Sequence, residues 1–313
     1  MSNYVVGVDI GGTTIKFGLF KENGELIEKF AIDTDTSNNG SKLLPSTADA
    51  ILSKLDELEI PITNLLGVGV GVPGPVTEDG VVLIGVNIGW HEPVFVKEKL
   101  EQLLNVRVNV TNDANIAALG EMYLGAAKGA KNAVMYTLGT GVGGGVIVDG
   151  NVINGAHGAG GEIGHLTSLP TGGAPCGCGK TGCLETIASA TGVVRIAKEM
   201  LENNQAPSIL KDIEDIKAKD VFEAAKRNDE LALEVVELVG FHLGLSAANI
   251  AATTDPEQII FGGGVSNAGE ILTDVIKKYY QQFAFTSIRD IPIVTATLGN
   301  DAGIIGGAYL ATR

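Results

Sequence analysis

Residues 4–24, YVVGVDIGGTTIKFGLFKENG, decide how the rest of the chain is read. A run rich in valine meets a turn of two glycines and two threonines, an apolar run follows, and a second turn closes the unit. The pattern is a β-hairpin whose first turn has no Cβ at two consecutive positions, so its N–H groups are open to an anionic ligand. The threonine hydroxyls add donors, and Asp9 places a carboxylate where the first strand ends. The same order returns at residues 133–153, AVMYTLGTGVGGGVIVDGNVI. One glycine turn is most simply a β-turn. Two alike, far apart in one chain, point to two related domains facing each other, with a nucleotide-phosphate site made by Asp9, Gly11, Gly12, Thr13, Thr14 and Lys16 on one side and Gly139, Thr140, Gly141 and Gly143 on the other. A third cluster, FGGGVSNAG at 261–269, runs from strand through Gly262, Gly263 and Gly264 toward a helix and suits the nucleoside end. No G-x-x-x-x-G-K-[ST] occurs, and strands rather than helices follow both hairpin turns, so neither a P-loop nor a dinucleotide fingerprint is present.

Between these clusters the apolar spacing alternates between periods of two and 3.6. Strands are expected at 4–9, 15–20, 25–33, 65–72, 106–110, 258–263 and 291–299. Helices are expected near 46–58, 114–124, 229–253, 270–280 and 302–311. Such alternation indicates an α/β fold. The charged segment 200–228 reads as a surface excursion with little chemistry.

The 313 residues suffice for one large or two ordinary domains, and 45% hydrophobic with 19% charged residues is a soluble globular composition. The formal net charge of −15 argues against a nucleic-acid backbone as partner. Charged residues interrupt the long apolar runs, none of which approaches the roughly 18 residues of a membrane helix. The N-terminus reads as a strand from its start, without an export signal, so a cytoplasmic location is expected.

All three cysteines lie in GHLTSLPTGGAPCGCGKTGCLE, residues 164–185. His165, Cys176, Cys178 and Cys183 supply one imidazole and three thiolates, a full tetrahedral set for zinc. Redox chemistry is the alternative, but C-x-C without a thioredoxin-like pattern is a poor case for it. Four protein ligands leave no open position, so the metal would be structural. It would fix the His165 ring, leave its second nitrogen for a ligand, and anchor Glu185 two residues past Cys183. In VTNDANIAALGE, Asn112 or Asp113 can cap the helix that follows.

Taken in order, DIGGTTIKFGLF, GVPGPV, TNDANIAALGE, LGTGVGGGVI, GEIGHL, CGCGKTGCLE and FGGGVS resemble the ROK family of sugar kinases across essentially the whole chain. The resemblance implies a two-domain actin-like ATPase (ribonuclease-H-like) fold with its active site in the interdomain cleft. The domains are expected at 1–117 plus 301–313, and at 118–300. It implies Asp113 as the general base acting on a sugar hydroxyl, and Asn112, Asp113, Glu162, His165 and Glu185 around a hexose, with Asn87 and Gly74 completing that wall. It further implies zinc at the cysteines, magnesium with ATP near Asp9 and Thr13, and a homodimer or tetramer. The expected reaction is ATP-dependent phosphorylation of glucose at its 6-hydroxyl. Fructose, mannose or N-acetylmannosamine remain alternative acceptors and polyphosphate an alternative donor. The family also includes sugar-sensing repressors with an N-terminal helix-turn-helix, for which a phosphate turn at residue 9 leaves no room.

Overall fold

The computed structural model describes residues 3–203 and 207–313. Residues 204–206, within the expected surface excursion, lie outside the described part. The chain divides into two compact units. The first comprises Met1–Gly129, Gly145–Gly161 and Leu298–Arg313, and the second Ala130–Gly144 and Glu162–Thr297. The first unit takes in helix α4 (Asp113–Tyr123) whole, where a boundary at 117/118 would divide it.

The first sheet contains β1 (Tyr4–Ile10), β2 (Thr14–Lys21), β3 (Leu26–Asp33), β4 (Leu65–Val72) and β7 (Arg107–Asn112), in the order β3-β2-β1-β4-β7. β1 and β2 pair antiparallel with Asp9 opposite Lys16, β2 and β3 likewise, and β4 is parallel to both β1 and β7. A two-stranded ribbon, β5 (Val81–Val82) with β6 (Val94–Phe95), stands apart. The second sheet contains β8 (Ala133–Leu138), β9 (Val142–Val148), β10 (Asn151–Val152), β11 (Gln258–Gly262) and β12 (Ile293–Thr295), in the order β10-β9-β8-β11-β12. The two orders are the same pattern, with the hairpin strands outermost and parallel strands following. This is the topological form of the repeat between residues 4–24 and 133–153.

Strand burial follows position in the sheet. Central β4 is buried at all but one of its positions, which explains its unbroken apolar run LLGVGVGV, whereas edge strand β3 alternates between exposed and half-exposed. A helical turn, α1 (Ser37–Gly40), follows β3, and one face of the first sheet, through Val6, Val8, Phe17 and Val70, packs with α2 (Leu43–Glu57) and α3 (Val96–Leu104). On the other face Val5 and Phe20 meet Ile304, Ala308 and Ala311 from the α10 segment (Ala302–Leu310 and its C-terminal cap). There the backbones themselves touch. A Cβ on Gly7 would lie 1.8 Å from Ile304 O, and where α10 packs on α4 a Cβ on Gly306 would lie 1.8 Å from Ile116 O. Intrinsic helix propensity favours alanine over glycine by about 1 kcal/mol. Collision with a fixed carbonyl reverses that sign, since overpacking costs about 1–3 kcal/mol and more where backbone must move. Gly306→Ala is therefore expected to destabilise by roughly 2–3 kcal/mol, read as a lower urea midpoint. An unchanged midpoint would contradict this packing.

In the second unit, α8 (Glu230–Thr254) contacts α6 (Ala190–Asn203), α7 (Ala218–Lys226) and α9 (Glu270–Phe283). α8 is long and apolar enough to cross a membrane by length and composition, with a mean hydropathy of 1.6 over its most apolar window. This corrects the reading that no run approaches that length. Its side chains Leu231, Val235, Val239, Leu243 and Ala247 are buried within the unit, the pattern of a core helix. The expected strand at 291–299 contracts to Ile293–Thr295, because a 3-10 turn at Gly299–Asp301 leads directly into α10.

Candidate functional site

In the first unit, the turn between β1 and β2 is closed by Gly11 N–H donating to Thr14 O at 3.0 Å. The Thr34 hydroxyl braces it, donating to Gly11 O at 2.7 Å, while Gly12 and Thr13 stay exposed. Asp9 is half-buried just before the turn. Burial raises its carboxyl above the usual range, opposed by the Lys16 ammonium across the hairpin. Gly303 of α10 floors this carboxylate, since a Cβ there would lie 2.7 Å from Asp9 Cγ. The sequence gives no sign of that role, because the two residues are far apart in the chain.

Asn112 ends β7 and caps α4. Its Oδ1 accepts from Ala114 N–H at 2.8 Å and Asn115 N–H at 3.4 Å, and its Nδ2 donates to Gly74 O at 3.1 Å. Of the two residues able to cap, Asn112 takes the task. Asp113 is exposed on the first turn of α4, where Ala114 N–H also donates to its Oδ1 at 2.8 Å. The positive end of the helix favours a carboxylate there. Gly74 has φ +105° and sits where a Cβ would lie 2.0 Å from Ile84 O, so no other residue fits. Asn87 O lies 3.2 Å from the Cβ position of Gly12. Asn154, unmarked in the sequence, accepts from Thr111 Oγ1 at 3.0 Å and Asn115 Nδ2 at 3.4 Å, steadying the start of α4.

In the second unit, a tight knuckle brings the cysteines to His165. Cys176 N–H donates to Lys180 O at 2.8 Å and Gly179 N–H to Cys176 O at 3.0 Å, while a bridge pairs Thr167 with Cys183. His165 Nδ1 lies 3.5 Å from Cys176 Sγ, and Cys178 Sγ lies 3.6 Å from Cys183 Sγ. Ligand atoms from all four residues lie within 4.8 Å of one another. Zn–S bonds of about 2.3 Å and Zn–N bonds of about 2.0 Å give tetrahedral edges of about 3.5–3.8 Å, so the donor set fits a zinc ion. Burial pushes the Cys176 thiol up to about 12 and raises Cys183, whereas the Lys180 N–H lowers Cys178. Three sulfurs this close all ionise only around a cation.

Around the knuckle, His165 Nε2 lies 3.9 Å from Glu162 Oε2. Glu185 opens α5 (Glu185–Ala188), with Oε1 accepting from the Cys176 thiol at 3.6 Å and Oε2 from Val142 N–H at 3.0 Å. His165 and Glu185 thus both meet the Cys176 sulfur, and Glu162 stands on the far side of the His165 ring.

The turn at Gly139–Gly141, closed by Gly139 N–H donating to Gly141 O at 2.9 Å, lies at a cavity of about 610 Å³. Gly139, Thr140, Lys217, Ala218, Phe222 and Gly264 are among its lining residues. Of the third glycine cluster, Gly264 faces this space. Gly262 ends β11, and Gly263 makes the turn with φ +87° and a Cβ position 2.5 Å from Leu138 O. Gly143 lies within β9. Lys217, Ala218, Lys219, Phe222 and Glu223, which line the cavity, lie inside the charged segment 200–228. These residues form no motif in the sequence.

The ROK family model matches residues 5–313. The chain is 46% identical to a glucokinase of Halalkalibacterium halodurans over 99% of its own length and 95% of that protein. Its structure resembles the ROK hexokinase of Thermus thermophilus, with TM-score 0.81, 32% identity and coverage of 99% and 98% of the two chains. It also resembles a ROK family glucokinase from Streptomyces griseus solved with glucose and AMPPNP, with TM-score 0.75, 34% identity and coverage of 99% of each chain. With the family model matched over residues 5–313 and a relative matched at 46% identity over nearly the whole of both chains, this chain belongs to the ROK family.

Proposed function

We propose that the protein transfers the γ-phosphoryl group of ATP to the 6-hydroxyl of glucose, with Asp113 as general base. The observation that carries the reading is the division of labour at α4: Asn112 makes the cap, and Asp113 presents an exposed carboxylate at the helix start. As the bond from sugar O6 to the γ-phosphorus forms, the bond from that phosphorus to the β-bridging oxygen breaks and ADP leaves. The O6 proton passes to Asp113 and then to solvent. Asn112, Glu162, His165 and Glu185, with Asn87 and Gly74, hold the remaining hydroxyls. The Gly11–Thr14 and Gly139–Gly143 turns hold the phosphates, and Gly264 borders the nucleoside. Magnesium accompanying ATP takes few protein ligands and suits a single carboxylate such as Asp9. Zinc, when bound at the knuckle, fixes the His165 ring by one nitrogen and neutralises the thiolates.

A coupled assay for glucose 6-phosphate with Mg·ATP tests the reading, run beside mannose, fructose and N-acetylmannosamine. Glucose is expected to give the highest kcat/KM, by about tenfold or more, the net worth of at least one well-made hydrogen bond of about 1.4 kcal/mol. Turnover confined to another hexose would reassign the substrate. No turnover on any of the four would overturn the kinase reading.

A further inference from the structure

The segment that follows the last cysteine reaches the Gly139–Gly143 turn at three separate points. Glu185 Oε2 accepts from Val142 N–H at 3.0 Å. Ala190 N–H donates to Gly139 O at 2.8 Å, and the Thr191 hydroxyl donates to Thr140 O at 3.0 Å. The segment is itself fixed at its start. Thr186 donates twice to Cys183 O, from its N–H at 3.0 Å and its hydroxyl at 2.7 Å, and Arg195 of α6 donates to Thr186 O at 2.8 Å. Glu185 is packed so closely on the turn that a Cβ at Gly141 would lie 2.3 Å from its Oε2. A side chain at Gly141 would therefore displace the Glu185 carboxylate from the turn.

We infer that residues 185–191 form a strap that sets the phosphate turn, with Glu185 and Thr191 as positioning residues for the nucleotide as distinct from the sugar. The inference rests on the reading of Gly139–Gly143 as a phosphate turn. A turn presents its N–H groups usefully only if the peptide planes are held, and each of these three bonds fixes one plane: those of Gly139 and Thr140 through their carbonyls, and that of Val142 through its N–H. The strap continues directly from Cys183, so the cysteine knuckle and the phosphate turn share one support. Glu185 then has two tasks, one oxygen turned to the turn and the other to the cysteine side where the sugar wall lies.

Isothermal titration of the purified protein with Mg·ADP and, separately, with glucose distinguishes this from a merely structural role. Thr191→Val keeps the shape but removes the donor to Thr140 O. It is expected to weaken Mg·ADP about five- to tenfold, the size of one lost hydrogen bond, and to leave glucose affinity within twofold. Glu185→Ala is expected to weaken both ligands, whereas Glu185→Gln, which retains an acceptor for Val142 N–H, recovers Mg·ADP affinity to within about threefold while glucose binding stays impaired. Gly141→Ala is expected to weaken Mg·ADP in the wild type and much less in Glu185→Ala, where the collision is relieved. Mg·ADP affinity unchanged within twofold in both Thr191→Val and Glu185→Ala overturns the strap and leaves the kinase reading standing. A wild-type protein that binds glucose but no Mg·ADP overturns the phosphate-turn reading and the strap with it.

Discussion

Asp113→Asn is expected to lower kcat by about three powers of ten, while glucose and Mg·ADP still bind within a few-fold of wild type. The substitution keeps the size of the side chain and the acceptor oxygen for Ala114 N–H, and the cap on α4 belongs to Asn112. The helix start therefore stays intact, and the change removes only basicity. General-base catalysis contributes about 10²–10⁴-fold, and an amide has no comparable affinity for the O6 proton. The loss should fall on kcat, because the missing interaction strengthens only as the proton moves. Coupled kinetics with calorimetry on the same preparations checks this. A kcat within tenfold of wild type would remove Asp113 from the role, and a parallel collapse of glucose affinity would make it a sugar ligand instead.

Loss of the knuckle metal is the second large effect. Cys183→Ser is expected to bring zinc content from near one per chain to near zero, to lower the melting temperature by about 5–10 °C, and to reduce kcat/KM for glucose about 100-fold or more. Cys183 is fully buried, and Thr186 turns back onto its carbonyl, so the residue joins the knuckle to α5. Unbraced, the His165 ring loses its fixed orientation, and α5, which Glu185 opens directly after Cys183-Leu184, loses its anchor. Metal analysis and differential scanning calorimetry supply readouts independent of turnover. Full zinc occupancy in Cys183→Ser, or a zinc-free wild type that is fully active and equally stable, would refute the assignment.

Legibility in the sequence tracked how local each signal was. The two glycine hairpins were readable because strand, turn and strand are contiguous, and their kinship reappears as the shared strand order of the two sheets. The cysteines and His165 were readable because few residue types bind metal and their spacing is short. The choice between Asn112 and Asp113 as cap was not, since both are good caps and only the side-chain path to Gly74 O decides it. The cavity wall at Lys217–Glu223 and the floor that Gly303 gives Asp9 were invisible for another reason. They act by shape or by lacking a side chain, and their partners are distant in sequence. The strap was hidden likewise, because two of its three bonds to the turn use backbone carbonyls.

The close seating of α10 has a consequence for how the polypeptide is made. α10 supplies one face of the first unit, yet the ribosome synthesises it only after all of the second unit. Until then β1 and β4 expose the glycine-lined surface that Ile304, Gly307 and Ala311 will cover. During translation the second unit can therefore mature while the first waits, an apolar sheet face open to chaperones and to its own neighbours on a polysome. The last helix then acts as the fastener that ends this vulnerable interval.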